Sequence, residues 1–281
     1  MGIVLAKRRV KDNKGWTKIR AVHAFFTWSP LPLPARNMLQ IFRKELNAFF
    51  SSLVGYMAIV VFLTVCGFFL WVLPNNNMLD DGFASMDKFF NLAPWVLMFL
   101  IPSLTMRSLA DEFKSGTIEL LSTLPLTEQQ ILLGKFFACF ALVIFSLIPT
   151  GLYVYTLSQL AIIKHNLDTG GILGSYIGLL FLNAAFTAIG IFCSSLTSNQ
   201  VIAFLFALFA NFVVYAGFET LSRMPVFNNG IDYFLSQIGM QFHYNSISRG
   251  LLDTRDLIYF ISLVLLFLQA TRLSLQRRKW N

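Results

Sequence analysis

The chain has 281 residues, of which 56% are hydrophobic and only 13% are charged, and its formal net charge is +8. Because soluble domains carry about 25% charged residues, this composition excludes an ordinary soluble protein and predicts an integral membrane protein. The basic residues are concentrated in particular segments. We therefore interpret the net charge as a determinant of membrane orientation and not as a nucleic-acid-binding surface.

Residues 1–37 form a basic, proline-containing tail that differs from the rest of the chain. The tail is polar, and its stretch SPLPLPAR is proline-rich, so we expect an extended or disordered segment. Met38 then opens an amphipathic stretch, MLQIFRKELNAFF. Two interpretations of the tail stay open: the natural chain begins at Met38, or the tail binds the anionic inner surface of the membrane. Intact-mass measurement of the native protein separates them.

Residues 38–281 are predicted to form one all-α membrane domain with six transmembrane helices. No charge interrupts residues 169–218, which would make about 75 Å of helix, whereas the hydrocarbon core is roughly 30 Å thick. The run must therefore fold back, and the polar cluster 194–200 is the place for the turn. The motif Thr127-x-x-Gln130 predicts a capping box before the third span, and Pro149 predicts a kink within it. The predicted spans are 48–73, 89–106, 131–163, 172–192, 201–218 and 257–275.

Lysine and arginine residues predict the orientation of these spans. Seventeen of the 22 lie in the segment before residue 48, in residues 107–135 and after residue 271, and five lie in the segments on the other side. Cytoplasmic segments of membrane proteins are enriched in these two residue types. We therefore expect both termini and residues 107–135 to face the cytoplasm.

The spans carry no groups suited to catalysis. Their central halves contain no Asp, Glu, Lys or Arg, and no His or Cys pair has metal-ligand spacing. Gly134-Lys135 lacks the other residues of a phosphate-binding loop, so this chain is not expected to bind ATP. Ion-driven carriers need ionisable residues inside the membrane. We predict that the chain is not an enzyme, has no catalytic residue, metal or cofactor, and that any movement is driven by another subunit.

The segment RSLADEFKSGTIELLSTLPLTEQQILLGK, residues 107–135, places seven charges between two apolar runs. Ser115-Gly116 is predicted to end the helix that leaves the membrane, and Thr117 to begin a short amphipathic helix. Pro125 ends that helix and Thr127 begins the next span. The pattern predicts a cytoplasmic helix lying along the membrane surface. From these residues alone, a simple interfacial connector and a segment pushed by a motor domain both remain possible.

The same segment resembles the signature of type-2 export-class ABC transporter permeases. Their pattern is an Arg, an Asp/Glu-Glu pair, Gly-Thr-x-Glu-x-Leu, a Pro, and a Gly-Lys at the next span. With FFSSLVGYMAIVVFL, FFNLAPWVLMFLIPSLTMRS and ISRGLLDTRDLIYF, the chain is most similar to gliding-motility-associated permease subunits (GldF-type) over residues 38–275. The residues that match the signature are Arg107, Glu112, Gly116, Thr117, Glu119, Leu120, Leu121, Pro125, Gly134 and Lys135.

The resemblance implies a permease subunit of an ATP-driven export complex in the bacterial inner membrane, linked to gliding motility. It implies three partners: a second permease-like membrane subunit, a cytoplasmic ABC ATPase that holds ATP and Mg²⁺, and the lipid bilayer. No nucleic acid is implied. The segment after span two corresponds to the family's coupling element, which seats in a groove of the ATPase. By this correspondence the ATPase-coupling residues are Arg107, Asp111, Glu112, Gly116, Thr117 and Glu119.

Residues 219–256 form a second unusual segment, on the side opposite residues 107–135. Its stretch IDYFLSQIGMQF is amphipathic but too polar to span, and related exporters hold short re-entrant helices at this position. Arg249, Asp253 and Arg255 are candidates for local charge pairs in this outer loop. The alternative is an ordinary surface loop with a solvated salt bridge.

Two functions of different classes follow. The first is a permease subunit of an export or mechanochemical complex, and the second is a non-transporting membrane scaffold that anchors a cytoplasmic partner. No polar groups converge between the spans, so the sequence does not indicate a substrate.

Overall fold

The computed structural model describes residues 33–74, 77–78, 85–117, 126–161, 167–224, 231–250 and 253–279. Every regular element in these ranges is helical, which confirms the all-α prediction. In chain order the elements are α1 (Leu33–Ser51), α2 (Leu53–Trp71), α3 (Asp87–Ser115), α4 (Glu128–Leu147), a 3₁₀ turn (Ile148–Thr150), α5 (Gly151–Leu160), α6 (Thr169–Leu196), α7 (Gln200–Phe212), a π-helical turn (Val213–Gly217), α8 (Phe218–Ser222), α9 (Ile231–Ile238), α10 (Met240–Ser248) and α11 (Thr254–Lys279).

Within the described ranges, six helical stretches are long and apolar enough to cross a membrane, and this number is the predicted one. Spans one to six are Leu53–Trp71, Asp87–Ser115, Glu128–Leu160, Thr169–Leu196, Gln200–Ser222 and Thr254–Arg278. The three cysteines, Cys66, Cys139 and Cys193, are buried and unpaired within these spans.

The helix predicted to begin span one at residue 48 is interrupted at Ser52. The backbone of Ser52 is extended, with φ −99° and ψ 151°, so α1 ends at Ser51 and span one begins at Leu53. A Cβ on Gly55 would lie 2.6 Å from the Phe49 carbonyl oxygen, so glycine allows the chain to turn this closely. The structure also begins α1 at Leu33, inside the stretch that we expected to be extended.

Span three shows both predicted features. The Thr127 hydroxyl accepts a hydrogen bond from the Gln130 backbone N–H, and the Gln130 side chain accepts one from the Thr127 N–H, which is a complete capping box. At Pro149 the α-helix gives way to the 3₁₀ turn before continuing. Proline lacks the N–H that an α-helix needs at this point, which explains the interruption.

The turn between spans four and five is shorter than predicted. Span four stays helical to Leu196, and span five begins at Gln200 after Asn199 caps its first turn. Ser194 and Ser195 were expected in the turn but lie in the helix. Their hydroxyls donate to the Met106 and Phe192 carbonyls, which satisfies these polar groups inside the bundle.

Span four lies at the centre of the bundle, packed against spans two, three, five and six and against α10. Its buried face includes Leu182, Phe186 and Ile189, which belong to the main apolar core. Gly190 allows the close approach to span two, because a Cβ there would lie 2.2 Å from the Thr105 hydroxyl oxygen. Small residues at such crossings are typical of membrane helices.

The segment between spans five and six folds back onto the bundle as α9 and α10, which agrees with the predicted pair of short helices. Met240, Tyr244 and Ile247 of α10 are buried against the core. The Tyr244 hydroxyl donates to the Phe90 carbonyl oxygen at 2.8 Å. Pro94 has no N–H to offer this carbonyl, so the tyrosine supplies the donor that span two lacks.

Candidate coupling site

One end of the bundle is formed by α1, residues 107–117, the start of span three, the turn 197–199 and the last turns of span six. We call it the basic end, because its exposed residues include Arg43, Lys44, Arg107, Lys114, Arg277 and Arg278. Span two continues to Ser115, about 13 Å of helix beyond its predicted end at residue 106. Gly116 follows with φ 71°, the left-handed conformation that ends many helices.

Lys135 lies at the centre of an ion-pair cluster at this end. Its ammonium group donates to Glu45 Oε1 at 3.0 Å, to Glu112 Oε1 at 2.7 Å and to the Ser108 carbonyl oxygen at 2.8 Å. The side chain is 2% exposed. A lysine ammonium has three donors, and all three are used here, so the buried charge is fully paired. The cluster joins α1, span two and span three.

The surface helix α1 lies directly against the start of span three. A Cβ on Gly134 would lie 2.8 Å from Ile41 Cγ2 and 3.3 Å from the Met38 carbonyl oxygen. Glycine at position 134 therefore brings α1 close enough for Glu45 to reach Lys135. Gly134 thus leaves room for α1 to pack against span three, and Lys135 fixes α1 there through its ion pair with Glu45.

The Ser194 hydroxyl of span four forms hydrogen bonds with the backbone of span two at the basic end. It accepts hydrogen bonds from the Leu109 and Ala110 N–H groups at 3.1 and 3.0 Å, and it donates to the Met106 carbonyl oxygen at 3.0 Å. Span two stays α-helical through these residues, so the Ser194 contacts attach span four to the backbone of span two without ending the helix. They lie about two turns before Gly116.

Spans five and six also contact the extension of span two. The Gln200 side-chain amide donates to the Asp111 carboxylate. The Arg278 guanidinium donates to the Leu196 carbonyl oxygen at 2.6 Å and lies 4.1 Å from the centre of the Phe113 ring. A guanidinium over an aromatic face is a favourable cation–π contact. Residues 107–115 are therefore contacted by side chains from spans three, four, five and six.

The structure brings some of the predicted coupling residues together and leaves others apart. Glu112 joins the Lys135 cluster and Asp111 joins span five, whereas Arg107 is exposed to solvent. The Thr117 hydroxyl lies 3.0 Å from that of Ser115, across the Gly116 turn. Glu119 and the amphipathic helix predicted around it lie outside the described residues, so their assignment stays a prediction.

At the opposite end, the three predicted outer residues do not pair with one another within the described ranges. The Asp253 carboxylate accepts from the Arg255 backbone N–H at 3.0 Å, and thereby caps span six. A different pair lies nearby. His243 Nδ1 is 2.7 Å from Asp256 Oδ1, and its ring stacks on Tyr259 with 3.9 Å between ring centres. Arg249 is exposed.

The sequence interpretation missed three residues of the coupling site: Glu45, Lys135 and Ser194. Lys135 carried the available signal, because a lysine seven residues into a capped apolar helix requires a partner when it is buried. Its partners come from positions 90 and 23 residues away in the chain. The role of Ser194 had no sequence signal, because a serine beside a turn is ordinary.

A family model described as ABC-2 family transporter protein matches residues 72–270, which is more than half of the chain. The chain belongs to the ABC-2 transporter family. The match includes residues 107–135 and the whole of spans two to five, whereas α1 and all of span one lie before it. A search of curated proteins finds no significant match.

Membership of the ABC-2 family identifies the chain as a multi-pass membrane component of a transporter, and a component of this kind is not itself catalytic. The helical bundle agrees with this assignment, since it has six spans and no strand among the described residues. The ion-pair cluster around Lys135 thus belongs to a transporter subunit, and it lies at the end of span two that precedes Gly116-Thr117.

Proposed function

We propose that this ABC-2 chain is the permease subunit of an ATP-driven export complex, and that the basic end couples it to a separate cytoplasmic ATPase. ATP and Mg²⁺ would be held by that ATPase and not by this chain. The basic end would face the cytoplasm, in line with the distribution of Lys and Arg. In a bacterium this places the complex in the inner membrane, with both termini of the chain cytoplasmic.

The observation that carries the proposal is the attachment of residues 107–115 to the other helices. Force applied near Gly116 reaches span three and α1 through Lys135, span four through Ser194 and span five through Asp111. A simple connector does not need such attachments. Because interiors are close-packed and transmit displacement, movement of this segment would move the spans together.

Two finer elements of the proposal rest on the resemblance of the sequence. A second permease-like membrane subunit would complete the pathway, and span one offers exposed apolar side chains for it or for lipid, among them Tyr56, Val60 and Phe68. The similarity to gliding-motility-associated subunits links the complex to gliding. Deletion of the gene should abolish gliding on agar, and complementation in trans should restore it.

Purification of the full-length tagged chain from its native membrane tests the coupling. We expect an ATPase with a phosphate-binding loop to co-purify, and the variant Glu119→Lys to lower its ATP turnover while insertion of the chain stays normal. Lys114→Gln, an exposed change in the same segment, is the matched control. If no ATPase co-purifies, or if Glu119→Lys retains full turnover, the coupling assignment fails and the membrane-scaffold function is favoured instead.

A further inference from the structure

A cavity of about 310 Å³ lies beside the coupling site, between α1, the start of span one and span two. Lys135, Glu112 and Ser108 form its inner wall, and Lys44 and Arg107 line it as exposed residues at the rim. The cavity therefore opens at the basic end, where the spans leave the membrane.

Two buried polar atoms in the inner wall have no hydrogen-bond partner among the described residues. They are the Ser108 hydroxyl oxygen and Glu112 Oε2. Ser108 is 6% exposed, so bulk water does not readily satisfy it. Unpaired buried polar atoms are costly and rare in native structures. Both atoms accept hydrogen bonds, which indicates a site for a donor.

The charges of the cavity are separated in space. Away from the rim, three carboxylates line the cavity, those of Glu45, Asp111 and Glu112, and they face one ammonium group, that of Lys135, so negative charge is in excess there. At the rim, Lys44 and Arg107 are both cationic and exposed. A complementary ligand therefore carries a hydrogen-bond-donating cation that enters the cavity and an anion that stays at the rim.

An apolar groove of about 660 Å³ lies next to the cavity, between spans one and two. Val54 lines both spaces, and Met106 of the groove directly precedes Arg107 of the rim. The groove is lined by side chains such as Met57, Val61 and Phe99, which lie on the membrane-spanning helices. A ligand that occupies both spaces is an amphiphile with its polar group at the membrane surface.

We propose that the cavity and groove bind one phospholipid whose headgroup carries a primary ammonium next to its phosphate, as in phosphatidylethanolamine. The ammonium donates to Glu112 Oε2 and Ser108 Oγ, the phosphate lies between Lys44 and Arg107, and an acyl chain follows the groove. A choline headgroup has no N–H to donate. A glycerol headgroup carries no cation, and a serine headgroup adds a carboxylate beside Glu45 and Glu112. This inference does not depend on the coupling proposal.

Native mass spectrometry of the purified full-length protein with added lipid tests the proposal. The probes are phosphatidylethanolamine, its N-monomethyl and N-dimethyl derivatives, and phosphatidylcholine, in which each added methyl group replaces one N–H donor. Because the site offers two acceptors, we expect binding to fall at the N-dimethyl lipid and again at the choline lipid, which should bind at least about tenfold more weakly than phosphatidylethanolamine, since a charged hydrogen bond contributes about 1.5–3 kcal/mol. Equal binding of the four lipids would overturn the proposal.

Three variants locate the site. Ser108→Ala removes the unpartnered hydroxyl but keeps the carbonyl that binds Lys135, so lipid binding should weaken while the thermal midpoint without lipid stays the same. Arg107→Gln should weaken all four lipids alike through the phosphate. Val61→Trp should block the groove without changing the headgroup preference. Lys114→Gln, a control on the same helix, should bind like the wild type. Wild-type binding by Ser108→Ala would contradict the assigned position of the ammonium.

Discussion

Both ends of span two receive a side chain from a neighbouring helix, but the two attachments differ in kind. At the outer end, the neutral Tyr244 hydroxyl bonds the Phe90 carbonyl that Pro94 leaves without a donor. At the basic end no proline removes a backbone donor, yet the Ser194 hydroxyl donates to the Met106 carbonyl and the charged Lys135 donates to the Ser108 carbonyl two residues further on. The end near Phe90 is closed by a contact that supplies a missing donor. The basic end has contacts that are added to a continuous helix.

The largest expected effect is that of Lys135→Met. It leaves Glu45 and Glu112 half-buried without their cation, and breaking a buried ion pair in this way costs about 3–5 kcal/mol. The thermal midpoint of the purified protein should fall strongly. Adding Glu45→Gln and Glu112→Gln should recover much of the loss. Lys114→Met serves as the exposed control, and an equal loss in both lysine variants would contradict the cluster.

The outer attachment gives the next largest effect. Tyr244→Phe leaves the Phe90 carbonyl buried and unpaired, which costs about 1–3 kcal/mol. Adding Pro94→Ala supplies a backbone N–H for that carbonyl and should restore the stability. The exposed Tyr155→Phe is the control. The interpretation fails if Pro94→Ala does not rescue the unfolding transition of Tyr244→Phe.

Gly116→Ala should destabilise the end of span two by a smaller amount. No atom lies within 4 Å of a Cβ at this position, so the cost comes from the positive φ alone, about 1–2 kcal/mol. Hydrogen exchange of the amides near residue 115 should become faster. Unchanged exchange would mean that the left-handed conformation is not required. Gly151→Ala, at a site with equal space and negative φ, is the control.

Ser194→Ala should have the smallest effect on stability, about 1 kcal/mol or less, because span two is a continuous α-helix here and its backbone groups keep their helical partners. Its effect on coupling should be large, because span four loses its hydrogen-bonded attachment to this part of span two. The outer-end variant Tyr244→Phe should show the reverse, a loss of stability with intact coupling. ATP turnover of the purified complex, measured beside the unfolding midpoints, distinguishes the two cases.

The features that local chemistry determines could be predicted from the sequence. The number of spans followed from apolar length and the capping box from Thr127 and Gln130, and Pro149 predicted a kink where the structure has a 3₁₀ turn. The break at Ser52 was missed, because an extended serine between two apolar helices has no marker of its own. The helical continuation to Leu196 was missed because Ser194 finds its partner in another span.

The candidate site was predictable in its location but not in its contacts. Resemblance and charge both marked residues 107–117, yet the partners of Glu112 and Asp111 come from distant positions in the chain. Lys135 is buried because α1 packs closely against Gly134. This contact belongs to the tertiary structure and has no signal in the local sequence. The residues that attach the segment could therefore not be found from the segment itself.

The most direct test of the account is a distance measurement across the basic end. Spin labels at Lys114→Cys and Ser198→Cys, both exposed, report span two against the turn of spans four and five; the native cysteines are buried. In the purified complex with its ATPase, ATP should change the electron–electron distance, and adding Ser194→Ala should abolish that change. No change with ATP, or the same change in the Ser194→Ala variant, would contradict coupling through this contact.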